Sequence, residues 1–206
     1  MTRPWIRCAV LAVLVVASST ACGADKKPSA GPEPTPKATA SSTPGPSPTP
    51  STPPEQPRGA SGVTYDILNW DEYADDPALL AWKQTTEAAS GSMNGKKLLP
   101  ALRQGTTPSM YKRYLGSVQN GWTSEWHVKP LAKVRVLSAK TRMKKADLQV
   151  CVWDPSSVFY EKDNSAVGGD LTQEWSRQKV GMTLQGTQWR VSAIESAGKC
   201  KGVPAP

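Results

Sequence analysis

Val180-Gly-Met-Thr-Leu-Gln-Gly-Thr-Gln-Trp-Arg-Val191 is the stretch that decides the fold. Val180, Met182 and Leu184 alternate with other residues, Gln185-Gly186-Thr187 makes a tight connection, and Trp189 and Val191 resume the period of two on the way to Ile194. Alternation on both sides of a Gly-containing turn predicts a β-hairpin between Trp175 and Ile194. Lys133-Val-Arg-Val136 and Leu148-Gln-Val-Cys-Val152 alternate in the same way, so the basic, Met-containing run Lys140 to Lys145 reads as the turn between two further strands.

Upstream the pattern is helical. Asp75-Asp76-Pro77 offers an Asp cap, a second acid at the positive end of a helix dipole, and Pro in the first turn. The helix should run from Pro77 to about Ser90, with Leu79, Leu80, Ala81 and Trp82 as apolar bulk and Gly91 and Gly95 ending or loosening it. Pro100 opens a short piece through Arg103. Pro108 precedes another helix, Ser109 to Asn120, whose broad face carries Met110, Tyr114, Leu115 and Val118 before Gly121 closes it. Helices followed by strands predict an α+β domain over residues 63–206, with N-terminal helices packed on a curled antiparallel sheet.

The first 62 residues are of a different kind. Arg3 and Arg7 precede the unbroken apolar run Cys8 to Ala17, which is too short for the roughly 20 residues of a bilayer-spanning helix and reads as a signal peptide over 1–21. Ser19-Thr20-Ala21-Cys22 then resembles the bacterial lipobox, with Ser where that motif favours Leu. The resemblance implies that Cys22 is diacylated and becomes the N-terminus, which anchors the chain at the extracytoplasmic face of the cell membrane. Residues 22–62 hold 11 of the 19 prolines and almost no bulky apolar residue, so they cannot offset their ordering entropy and read as a disordered tether. Biased towards polyproline II, such a segment reaches on the order of 120 Å when fully extended. Its Ser and Thr beside Pro permit O-glycosylation.

Removing the signal leaves 23 basic and 17 acidic side chains, and from Ser61 onward 19 and 14. An excess of +5 suits an anionic membrane or wall polymer as neighbour and does not by itself imply nucleic acid, which is not expected outside the membrane. Of four cysteines, Cys8 leaves with the signal and Cys22 carries lipid. Cys151 and Cys200 form an even pair in an exported domain, where disulfides persist. The competing metal or redox reading lacks C-x-x-C spacing and has one His in the chain to draw on, so no metal and no cofactor is expected.

Helices, long antiparallel strands and a closing hairpin ending Gln188-Trp-Arg-Val191 resemble the nuclear-transport-factor-2-like superfamily over roughly Asp75 to Cys200. That resemblance implies a cone-shaped sheet, a pocket inside it and, in some members, isomerase or dehydratase chemistry. It also allows a homodimer through the exposed sheet face, and it places the domain behind a tether, as in exported actinobacterial lipoproteins. The candidates for acid–base work are Asp147, Asp154, His127 and Tyr160. Asp147 alternates with Leu148 and should face solvent, Asp154 precedes Pro155 as in a turn, and His127 has no carboxylate neighbour in sequence. No phosphate loop after a strand and no G-x-S-x-G elbow is present. The favoured reading is therefore a non-catalytic binding or accessory module facing an envelope protein, lipid or wall polymer. Trp122, Trp126, His127 and Tyr160 are the residues that would line its pocket, and a small isomerase-like or dehydratase-like pocket enzyme is the alternative.

Overall fold

Four consecutive antiparallel strands form the body of the sheet in a computed structural model that describes residues 54–168 and 172–206. They are β2 (Leu131–Arg142), β3 (Lys145–Trp153), β4 (Trp175–Gln185) and β5 (Gln188–Lys199). Both tight hairpins fall where the alternation breaks, at Met143-Lys144 and Gly186-Thr187. Val134, Val136, Leu148, Val150, Val152, Val180, Met182 and Val191 are all buried and supply the core face, as the period of two requires.

The sheet is not purely antiparallel. A short strand, β1 (Thr64–Ile67), precedes the helices and pairs in parallel with the start of β2, from Thr64 opposite Leu131 to Ile67 opposite Val134. The order is β1-β2-β3-β4-β5 in one mixed, five-stranded sheet. Val63, Tyr65 and Ile67 bury one side of β1, a pattern too short beside a Pro-rich tether to stand out in the sequence. With β1 in place the architecture is α+β, and the expected helices-then-strands order is corrected.

Helix α1 (Pro77–Asn94) starts as predicted: the Asp76 carboxylate accepts the backbone N–H groups of Ala78 at 2.9 Å and Leu79 at 2.8 Å. It continues through Gly91 instead of stopping at Ser90. Gly91 marks a close approach, since a Cβ there would lie 2.4 Å from the Ser61 carbonyl oxygen. Helices α2 (Pro100–Gln104) and α3 (Pro108–Thr123) follow, and α3 likewise runs through Gly121. The expected turn at Asp154-Pro155 is one turn of helix, α4 (Asp154–Ser157). The main core lies between the helices and the sheet, and a smaller cluster of Ala88, Ala89, Leu102 and Val118 joins α1, α2 and α3.

Both ends of the described chain are fastened to this body. Residues 54–61 cross α1 as a strap. Gln56 accepts the Ile67 N–H at 2.9 Å, and the Pro57 carbonyl accepts from Lys83 Nζ at 2.7 Å. Lys83 also pairs with Glu87, each side chain about 1% exposed, and Glu87 Oε1 accepts the Tyr65 N–H at 2.9 Å. At the other end Cys200 sits in disulfide geometry with Cys151, Cα atoms 6.2 Å apart, and Trp175 Nε1 donates to the Pro204 carbonyl at 2.8 Å. Cys22, the signal peptide and the tether up to residue 53 lie outside the described residues. Among those described, no helix is long and apolar enough to cross a membrane.

Candidate functional site

Two helical faces and the inner sheet wall leave a cavity of about 210 Å³. From α1 come Thr86, Ala89, Ser90 and Met93, spaced i, i+3, i+4, i+7 so that all four share one face. From α3 come Tyr114, Ser117 and Val118 at the same kind of spacing, and Tyr65 enters from β1. Val152, Gln178 and Ile194 close the sheet side, while Val128 and Phe159 belong to the connections at its rim.

The lining is apolar with several hydroxyls and one amide. Tyr65 Oη and Ser90 Oγ are 3.4 Å apart, and the Thr86 hydroxyl donates to the Trp82 carbonyl at 2.9 Å. The Tyr114 hydroxyl is buried and makes no hydrogen bond with the described residues, although Thr86 lies beside it. Burial pushes the pKa of both tyrosines above the ordinary 10.0, because a phenolate loses its solvation in this wall. Both rings therefore act as neutral donors or acceptors. No carboxylate, imidazole or amine is among the described lining residues. Nor do three or more His, Cys, Asp or Glu side chains come together among the described residues in a way that would hold a metal ion.

The four residues singled out in the sequence stand beside this cavity and not in its lining. Trp122 packs at the edge of the small helical cluster and donates its indole N–H to the Ser92 carbonyl at 2.9 Å. Trp126, His127 and Tyr160 do come together, because His127 and Tyr160 form an isolated antiparallel bridge. Trp126 stacks on Phe159 with ring centroids 5.7 Å apart and donates to Glu161 at 3.1 Å. His127 Nε2 lies 3.1 Å from Asn164 Oδ1, and Tyr160 donates its hydroxyl to the Pro155 carbonyl at 2.5 Å. With those polar atoms occupied, the cluster reads as a clasp on the connection after α4, which leaves the neighbours Val128 and Phe159 to face the cavity. Asp147 is exposed, as its alternation requires, and Asp154 accepts from the Thr172 hydroxyl at 3.1 Å. Tyr65, Thr86, Ser90 and Tyr114 were not picked out from the sequence. Their signal was hydroxyls recurring at helical spacing among apolar residues, which ordinary helix surfaces also show.

Comparison with known proteins gives little. No family model matches the chain. No curated protein matches it either. Among solved structures the chain is similar to RPA3114, a SEC-C motif containing protein from Rhodopseudomonas palustris, at 13% identity and a TM-score of 0.37, covering 61% of this chain and 91% of that one. The resemblance to the nuclear-transport-factor-2-like superfamily, and with it the lipoprotein class inferred from that domain, is corrected. No model of that or any other family matches, and the parallel β1 breaks the expected element order.

Proposed function

We propose that this chain is a membrane-anchored, extracytoplasmic binding module that holds a small uncharged molecule between α1, α3 and the sheet. The lining of the cavity carries this reading: an apolar wall with hydroxyls on Tyr65, Ser90 and Tyr114 suits a neutral ligand with one or two polar atoms. An ion would lose its hydration there without a countercharge, at a cost that disfavours charged ligands. A water takes about 30 Å³ in the liquid, so the space suits a molecule of roughly seven non-hydrogen atoms. Isomerase-like or dehydratase-like chemistry draws on a carboxylate or imidazole in such a site, and Asp147, Asp154 and His127 lie outside its described lining. Bulges between Val136 and Ser138, Ser176 and Gln178, and Gly181 and Met182 support a sheet curled around the helices, since a bulge bends its strand.

The address rests on Cys22. Two acyl chains at about 0.8 kcal/mol per buried methylene make a stable anchor. Two measurements test the proposal. Cys22→Ser should move the protein from the membrane fraction to the soluble extracytoplasmic fraction. Thermal shift with cyclohexanone and p-cresol should stabilise the protein, whereas benzoate and benzylamine should not. Equal stabilisation by the charged probes, or membrane association unchanged by Cys22→Ser, would contradict the corresponding half.

A further inference from the structure

The tip of the β2–β3 hairpin breaks two local rules at once. Arg142 and Lys145 face each other directly in the strand register, and like charges in that position destabilise a hairpin. The row continues through Thr183 to Arg190, which places three cations on one sheet face at one end. Lys140 and Lys144 add two more, and Lys140, Arg142, Lys144 and Lys145 are all exposed. Among the described residues the ion pairs involve Lys83, Lys96, Lys133, Lys162 and Lys199, so none of these five cations has a carboxylate within pairing distance. Asp147, opposite Lys140, is the acid in register there.

The second broken rule is Met143. It occupies the first central position of the two-residue turn with φ of 48°, a left-handed conformation that Gly adopts with least strain, and its side chain is 94% exposed. The turn is held in place, because the Leu184 N–H donates to the Lys144 carbonyl at 2.8 Å. An unpartnered apolar apex ringed by cations is out of keeping with a structural turn, and sites where local preference is overridden are where function is expected.

We propose that this tip docks onto an anionic lipid bilayer, with Met143 entering the interfacial layer and Lys140, Arg142, Lys144, Lys145 and Arg190 facing the head groups. A lipid surface fits better than a soluble or wall polyanion, because a polyanion gives the exposed thioether nothing to bury against, whereas an apolar side chain flanked by cations is the pattern of interfacial binding. The tip lies at the far end of β2 from Thr64, about 35 Å from where the strap joins β1, at about 3.3 Å per strand residue. Docking on the protein's own membrane rests on the address proposed above and needs a spacer of at least that length between anchor and domain. This docking is independent of what the cavity binds.

The test uses the chain from Gly23 onward, which lacks the anchor and keeps the whole compact unit Pro50–Pro206. Vesicles of phosphatidylcholine alone are compared with vesicles containing equal parts phosphatidylglycerol. The proposal expects salt-sensitive binding to the anionic vesicles only. It expects a loss of about fivefold per cation removed in a variant carrying Lys140→Gln, Arg142→Gln, Lys144→Gln and Lys145→Gln, with no loss in Lys112→Gln. Met143→Ser should weaken vesicle binding severalfold and leave any binding to heparin, a soluble polyanion, unchanged. The quadruple variant should also melt no lower than the parent, since it relieves the Arg142–Lys145 repulsion, so lost binding is separable from misfolding. Equal binding to both vesicle types, full binding by the quadruple variant, or heparin binding without vesicle binding would each overturn the proposal.

Discussion

Replacing Lys83 with Met removes the cation from an ion pair in which each side chain is about 1% exposed. Glu87 would keep the Tyr65 N–H on Oε1, but its Oε2 has no partner among the described residues, and the Pro57 carbonyl would lose its donor. Removing one member of such a pair leaves an uncompensated charge out of water, at a cost of about 3–5 kcal/mol. In a domain of this size that corresponds to a fall in Tm of roughly 10 °C. Urea unfolding followed by tryptophan fluorescence reads this directly, because Trp82, the preceding residue, is fully buried. The double variant Lys83→Met with Glu87→Leu should recover about half of the loss or more, since exchanging a whole buried pair for apolar residues is often close to neutral. The remainder reflects the Tyr65 N–H left without an acceptor, at about 1–3 kcal/mol. A cost below about 1 kcal/mol for Lys83→Met, the range of a solvated surface pair, would mean that residues 54–61 do not seal this face of α1.

Gly91→Ala puts a Cβ 2.4 Å from the Ser61 carbonyl oxygen, so the strap must shift at a cost of about 1–3 kcal/mol, and tryptic cleavage after Arg58 should quicken; unchanged cleavage would deny the close approach. Stability should fall as pH rises above the ordinary tyrosine value of 10.0. There the unfolded chain releases phenolic protons that folded Tyr65 and Tyr114 keep, at roughly 1.4 kcal/mol per pH unit for each, and Tyr114→Phe should make the slope shallower. Mass spectrometry of the oxidised protein without reductant should find Cys151 and Cys200 bridged, and reduction should lower the unfolding free energy by about 4 kcal/mol; free thiols in the exported protein would contradict this.

Local signals made much of the architecture legible. Asp76-Pro77 caps α1 as its residue types require, and the alternation at Leu148 and Val180 places those residues on the core side. Signals that depend on a distant partner were not legible. β1 is four residues long and owes its place to pairing with residues nearly 70 positions away. Gly91 and Gly121 looked like helix ends, yet each sits inside a helix where another segment comes close: Ser61 at the first, the Met93 side chain at the second. The pocket residues were missed for the same reason. Trp122, Trp126, His127 and Tyr160 are conspicuous residue types, but their polar atoms are engaged outside the cavity, while the cavity is built from ordinary hydroxyls that only the packing of α1 against α3 brings together.

The cavity is the centre of this account, and the most direct measurement of it is a titration of the protein with cyclohexanone followed through the ring resonances of Tyr65 and Tyr114 in the NMR spectrum. Saturable shifts confined to the cavity lining, abolished when Ala89→Trp fills the space, are the predicted result. Shifts absent from both tyrosines, or equally large in the Ala89→Trp variant, would contradict a ligand site between these helices and the sheet.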